Sequence, residues 1–475
     1  MKKIKELLKK INIENILCAY IILCPILDII SFLFRNKFNT NYSPSTFIRP
    51  VISIIVIMYL FIKKDKKFKL YSILASLIYG VYAIIHLCIF EKVKTGSSYS
   101  NAIHEAQYLI NYSFMILNLF IYIYVFKNKD NSKLKLSVLW SACIYIISIY
   151  ISIITKTSSH TYIYEGIGYK GWFESGNSLG AILILLMFVY IAFIKDKKYR
   201  KIAIPILILN IIFLTTLIGT RVGLLGVITV LSLYAIVQVF IGLLKNKKVD
   251  KKIIICISIA VVAIGILVTI FGSATIERRK HLKNIENDII DTNLEDKSHI
   301  TGDLLKIKNK IDDGTLEEGY MSESQKQSIL DLYNTANQLN VTNNDQRAQQ
   351  LIYNLALVKN QKNIVLIIFG NGYMANFREL VLEMEIPAFL FNFGILGFML
   401  YFVPFLSIFI YGAYMAIKNI RKIDDEYLML LLGSGFTFAL SFFSGYTFFN
   451  SSSMMAIIVI YTLLINKINK LKEVK

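Results

Sequence analysis

The stretch IAIPILILNIIFLTTLIGTRVGLLGVITVLSLYAIVQVFIGLL, residues 202–244, decides the fold. It holds two apolar runs, Ile202–Ile218 and Val222–Leu244, parted only by Gly219, Thr220 and Arg221. Basic segments, Lys195–Lys201 and Lys245–Lys252, flank the pair. About 18 apolar residues suffice for a helix to cross the hydrocarbon core, and Lys and Arg are retained on cytoplasmic loops. The stretch therefore reads as two membrane-crossing helices that start and finish on the inner side and turn at Arg221 on the outer side. Outward from it the same rhythm continues. Further spans are expected at Ile13–Phe34, Phe47–Ile62, Leu70–Phe90, Ala106–Phe126, Leu136–Ile154, Ser178–Ile194, Ile253–Gly272, Glu385–Tyr411, Leu428–Phe443 and Met454–Ile465. The expected fold class is all-α: a polytopic helical membrane protein of about twelve spans with one small helical extracytoplasmic domain.

Composition agrees. Hydrophobic residues make up 55% of the chain and charged residues 18%, below the roughly 25% charged typical of soluble domains. The net charge of +20 is topological. With the N-terminus inside, 31 of the 52 Lys and Arg fall in seven inner segments, against 9 in short outer ones. Both termini are then cytoplasmic, in the cytoplasmic (inner) membrane. The polar stretch Ser273–Asn363 lies outside and carries 12 basic and 14 acidic residues, so nucleic acid is not an expected partner. The N-terminal lysines and apolar run have no small-residue cleavage site, and a second span follows; they read as a retained first helix. The five cysteines fall within spans, which argues against a disulfide framework or a metal cluster.

Three units follow: spans one to nine over residues 1–272, the outer insertion over 273–363, and spans ten to twelve over 364–475. In the insertion, Ile329, Leu332, Tyr333 and Leu339, then Leu351, Ile352, Leu355 and Val358, keep helical spacing, and Ser322 with Gln325 forms a capping-box pattern. That predicts a helical cap. Ile285–Thr315 reads equally as part of it or as a solvated linker.

Ionisable residues among apolar neighbours mark candidate chemistry. Charges near membrane depth cost about 2.5–3.5 kcal/mol on insertion scales, so they pair or serve a site. Apart from Glu385 at the start of its span, the spans hold one acidic residue, Asp28, which reads first as a partner for an arginine. Arg49 sits at the outer mouth of the second span, either snorkelling or binding an anion. Arg221, flanked by glycines, favours a site, because a guanidinium offers a phosphate two parallel hydrogen bonds. His86 reads as a packed, hydrogen-bonded side chain, and His104 and His160 are unclustered. Two outer segments are rich in polar groups. Thr155–Gly176 carries His160, Glu165, Lys170, Trp172 and Glu174; Phe369–Phe405 carries Arg378, Glu379, Glu383 and Glu385 before a helix. Glu383 and Glu385 could cap that helix or act as bases.

At these residues the chain resembles the bacterial O-antigen ligase and polymerase family of integral-membrane glycosyltransferases. The resemblance runs from Pro25 and Asp28, through Arg49, Gly171-Trp172-Phe173-Glu174-Ser175-Gly176-Asn177 and Gly219-Thr220-Arg221-Val222-Gly223. It continues with the insertion between the ninth and tenth spans, Gln346-Arg347, and Phe369-Gly370-Asn371-Gly372-Tyr373. It ends at Glu383-Met384-Glu385 and Phe391-Asn392-Phe393-Gly394-Ile395-Leu396-Gly397. The resemblance implies transfer of a glycan from a polyprenyl-diphosphate-linked donor to an acceptor glycan on the outer face, without cofactor or metal. Arg221 and Arg347, then Arg49, would bind the diphosphate, supported by Asp28, Asn177 and Arg378. Glu385, or Glu383, would deprotonate the acceptor hydroxyl. Ligase members carry a histidine just after the Gly-x-Gly segment; here Met374-Ala375-Asn376 follow, which inclines the reading to a polymerase. Such a role implies flippase and chain-length regulator proteins as partners. The competing classes are a ligase, a lipid or polysaccharide transporter, and a structural or signalling membrane protein. Transporters commonly repeat their halves, whereas the insertion here occurs once.

Overall fold

The computed structural model describes residues 12–40, 43–63, 66–95, 101–245, 251–292, 300, 302–343, 345–373, 380–445 and 447–473. The first half comprises α1 (Ile13–Phe38), α2 (Pro44–Lys63), α3 (Lys66–Val93), α4 (Ala102–Phe126), α5 (Ser132–Ile154), an antiparallel hairpin β1 (Ser159–Tyr162) and β2 (Ile167–Gly171), α6 (Gly176–Ala192), α7 (Lys197–Ile212) with a π turn at Phe213–Leu217, α8 (Arg221–Leu244) and α9 (Lys251–Phe271). The cap follows as α10 (Ala274–Thr292), α11 (Asp303–Asp312), α12 (Glu323–Leu339) and α13 (Gln346–Gln361). The chain ends with α14 (Ile364–Phe369), α15 (Glu385–Tyr401), α16 (Val403–Lys418), α17 (Asp425–Phe443) and α18 (Ser451–Glu473).

Among the described residues, eight helices are long and apolar enough to cross a membrane. Two bent pairs and the shorter apolar helices Phe47–Ile62 and Gly176–Ala192 complete the set, so each expected span coincides with a helix. The protein is a polytopic helical membrane protein. The tenth span is not one rod: α15 and α16 meet at a 47° bend, and Gly394 breaks α15 internally at φ 68°. Two helices form the centre. In α6 every residue but Asn177 is buried, and α18 packs against α1, α4, α6, α16 and α17. Glycines permit this closeness. A Cβ at Gly226 would lie 2.3 Å from Ile184 of α6, so larger residues there would push α8 away. At the other extreme, α3 turns large apolar side chains such as Leu77, Ile84 and Tyr71 outward, as a lipid-facing helix does.

The expected capping box is present: Ser322 Oγ accepts from Gln325 N, and the Gln325 side chain reaches back to Ser322 N. The cap has its own apolar core, with Ile329, Leu332, Tyr333, Tyr353 and Leu357 at its centre. Its register departs from the expected stripe: Leu339 and Leu355 are exposed, while Tyr353 and Leu357, four residues apart, face inward. In α13 the expected stripe ran through Leu351, Ile352, Leu355 and Val358, whereas the most buried apolar groups there are Tyr353 and Leu357. Ile300, Leu304 and Ile307 enter the same core, so this part of Ile285–Thr315 belongs to the cap. The hairpin within Thr155–Gly176 is a β element in an otherwise helical chain. Glu105 corrects the count of acidic residues, because α4 begins at Ala102 and encloses Glu105, fully buried.

Candidate active site

The turn Ile218–Arg221 is the floor of the site. The π turn widens the end of α7, and Thr220 then caps α8 by accepting from Gly223 N at 3.1 Å. The β hairpin docks on this turn: Thr161 Oγ1 donates to Ile218 O at 2.7 Å. Gly168 lies so near that a Cβ would fall 2.5 Å from the same oxygen, and its φ of +70° also demands glycine. The start of α10 closes the other side, with Ser273 Oγ donating to Thr215 O and Thr275 Oγ1 to Thr220 O.

Arginines converge on this floor. Arg221, the first residue of α8, is exposed. A cation at a helix N-terminus opposes the macrodipole, so its placement suits an anion better than it suits the helix. Arg278 of α10 lies over the Tyr162 ring at 3.4 Å and pairs with Glu165 at 3.4 Å. Burial pushes the Tyr162 phenol up, while Arg278, Arg221 and Arg347 all pull it down, so one phenol senses all three guanidinium groups. Arg221 and Arg347 thus both lie within electrostatic reach of Tyr162, and Arg278, which the sequence reading passed over, is in contact with its ring. Its signal was the run Arg278-Arg279-Lys280 shortly after the end of the ninth span, on the side expected to face outward, against the positive-inside bias.

Arg347 also ties the cap to the bundle. Its guanidinium donates to Phe443 O and to Ser444 O, the latter at 2.7 Å, and lies 3.4 Å from the Glu383 carboxylate. A cation is favourable at these carbonyls, which end α17. The Arg347 and Glu383 side chains keep 37% and 30% of their surface exposed, so both remain reachable.

Glu385 is placed otherwise. It is fully buried, and its carboxylate accepts three backbone N–H groups: Thr447 at 2.6 Å, Phe448 at 2.8 Å and Phe449 at 2.7 Å. It anchors the loop between α17 and α18 instead of capping its own helix. With three backbone N–H groups bound to its carboxylate and no exposed surface, the geometry fits an anchor better than a base.

That loop, Ser444–Asn450, is a hub. Beyond Arg347 and Glu385, Asn450 Nδ2 donates to Ser178 Oγ of α6 at 2.9 Å, next to half-buried Asn177. Ser451 and Ser452 then receive Arg49, which is 1% exposed and paired with Asp28. Asp28 also accepts from Tyr145 at 2.9 Å and Ser452 at 2.7 Å. Arg49 is therefore held inside the protein and apart from the exposed arginines. The legible hint was Ser441–Ser453, polar hydroxyls and Gly445 inside an apolar stretch. Arg378 lies outside the described residues.

The two glycine motifs meet each other. Asn371 N donates to Phe391 O at 2.9 Å and Gly372 N to Asn392 O at 2.8 Å, at the break of α15. Cβ atoms at Gly370 and Gly394 would lie 2.1 Å and 2.4 Å from the opposing backbone. Behind them His86 Nδ1 meets Phe369 O at 2.7 Å, and Nε2 meets Glu105 at 2.8 Å, while Glu105 accepts from Tyr373 N. His86 is thus the packed residue expected of it, with Glu105 as its partner.

A family model described as O-antigen ligase like membrane protein matches residues 10–471. The chain belongs to that family. The match takes in the bundle, the hairpin and the cap, so every element of this O-antigen ligase-like site lies within it. No curated protein and no solved structure matches the chain.

Proposed function

We propose that this O-antigen ligase-like protein is a glycosyltransferase that polymerises polyprenyl-diphosphate-linked repeat units on the outer face of the cytoplasmic membrane. The observation carrying this reading is Arg278 stacked on Tyr162, with Arg221 and Arg347 within electrostatic reach of the same ring and the accessible Glu383 carboxylate beside Arg347. In glycosyl transfer from such a donor, the C1–oxygen bond to the diphosphate breaks as an acceptor hydroxyl attacks. Guanidinium forks aimed at the departing diphosphate stabilise charge that grows along this path, in the role a metal ion plays elsewhere. Glu383 takes the hydroxyl proton in this scheme, at a site open to an acceptor. Glu385 holds the loop behind it.

Orientation supports the same reading. Both termini lie inside, residues 273–363 face outward, and the units 1–272 and 364–475 are the membrane parts. At the end of the bundle remote from the cap, Lys467 pairs with Asp424 and Glu426, Lys135 with Glu426, and Lys195 with Asp425. These pairs fasten α5, α17 and α18 to one another and to the end of α6. Such a fastening favours an enzyme open on one side over a rocking transporter.

A ligase is the second reading, favoured by the family's description. Deleting the protein and analysing surface polysaccharide and lipid-linked precursor tests both. Accumulated single repeat units support the polymerase, and long unattached polymer supports the ligase. Unchanged surface glycan and precursor would refute both.

A further inference from the structure

We infer that the Asp28–Arg49 ion pair is a positioning device for the α17–α18 loop and, through it, for Arg347; Arg49 is not itself a diphosphate ligand. The pair joins three distant parts of the chain. Arg49 from α2 donates to Ser451 and Ser452 at the start of α18, and to Asp28 of α1. Asp28 accepts again from Ser452 Oγ and from Tyr145 of α5. Ser452 is thus gripped by both charges, and the first turn of α18 is tied to three other helices.

The grip continues toward the arginine site. Ser453 Oγ donates to Thr447 O at 2.6 Å and Asn450 O at 3.0 Å, folding the loop back on the helix start. Glu385 fixes Thr447 to Phe449. Seven residues before the helix start, Ser444 O, with Phe443 O, receives Arg347. Thr447 Oγ1 in turn donates to Gly445 O at 3.2 Å, next to Ser444, so displacing Ser451 and Ser452 shifts the carbonyls that aim Arg347. Arg49 commits Nη1 and Nη2 to Asp28 and two serines, its Nε is buried, and the residue is 1% exposed. Reaching a diphosphate would require leaving Asp28 as an unpaired buried charge, a cost that far exceeds a surface ion pair.

The two roles separate in a charge-pair cycle. Removing either charge alone leaves the other buried and unpaired, whereas neutralising both does not. Positioning therefore expects Asp28→Asn and Arg49→Gln each to raise amide exchange across residues 447–453 by roughly tenfold or more. Each should weaken binding of polyprenyl diphosphate in vesicles. The double variant Asp28→Asn/Arg49→Gln should recover both quantities to within a few-fold of the parent. If Arg49 touched the diphosphate, Asp28→Asn would free it and keep binding, and the double variant would bind as poorly as Arg49→Gln; that pattern overturns the inference. Ser452→Ala, which removes no charge, guards against misfolding of the single variants. It should raise exchange of the same amides, and unchanged exchange overturns the inference as well. The binding arm rests on the proposed function, and the exchange arm does not. A parent protein that ignores polyprenyl diphosphate would count against that function, leaving the exchange cycle to decide the role of the pair.

Discussion

Replacing Glu385 by Gln tests the anchor directly. The carboxylate accepts from Thr447 and Phe449 through Oε1 and from Phe448 through Oε2, all inside the protein. A glutamine can keep one oxygen. Turned to hold Thr447 and Phe449, it points its NH2 group at the Phe448 N–H, setting donor against donor. Hydrogen bonds to a charged acceptor contribute about 1.5–3 kcal/mol and neutral ones about 0.5–1.5, so each retained bond weakens by about 1 kcal/mol. The orphaned Phe448 N–H adds a penalty of about 1–3 kcal/mol. Relief from burying a charge returns part of this sum, leaving a net loss of about 2–3 kcal/mol. At 1.4 kcal/mol per factor of ten, the local opening constant rises by roughly 30- to 150-fold. Hydrogen–deuterium exchange of the Thr447, Phe448 and Phe449 amides reads this quantity, and activity measured in parallel shows what the loop contributes. A general base would behave otherwise: turnover falls about 10²–10⁴-fold with little structural change. Parent-like exchange at those three amides, with a turnover loss of that size, would refute the anchor and restore Glu385 as the base.

Further outcomes follow from the same geometry. Arg221→Lys should lose most polymer formation while inserting normally, because a point charge does not reproduce the guanidinium fork; near-parental polymer length would make Arg221 a mere surface cation. Glu383→Gln should lower turnover on the order of 10²–10⁴-fold while lipid-linked donor still binds, which single-turnover assays separate. Gly370→Ala should sharply reduce folded protein, since its Cβ would fall 2.1 Å from Asn392 O at a φ of +91°; a normal yield would show that the close approach relaxes. An impermeant thiol reagent should label Ser322→Cys in intact cells and spare Asn419→Cys, and the reverse pattern would invert the orientation.

By itself the sequence determined the architecture. Long unbroken apolar runs satisfy their backbone groups inside a bilayer as helices, so span after span was legible from residues 13 to 465. The capping box at Ser322 and the register of Ile329, Leu332 and Tyr333 were legible for a similar reason, since a helix turns local spacing into a face. Arg221 was legible because charge among apolar residues is costly wherever it lies, and Arg347 only through the family resemblance. Only the tertiary structure decided what those charges do. Arg49 and Arg221 look alike in sequence, each at the mouth of a span. One is buried against Asp28 and two serines from the far end of the chain, and the other is exposed at the start of α8. Glu383 and Glu385, two residues apart, diverge in the same way. One is reachable beside Arg347, and the other is sealed by three amides from a loop some sixty residues on. Pairing between remote segments leaves no periodicity to read, because it depends on which helices become neighbours. Helix neighbours are chosen by packing over the whole bundle.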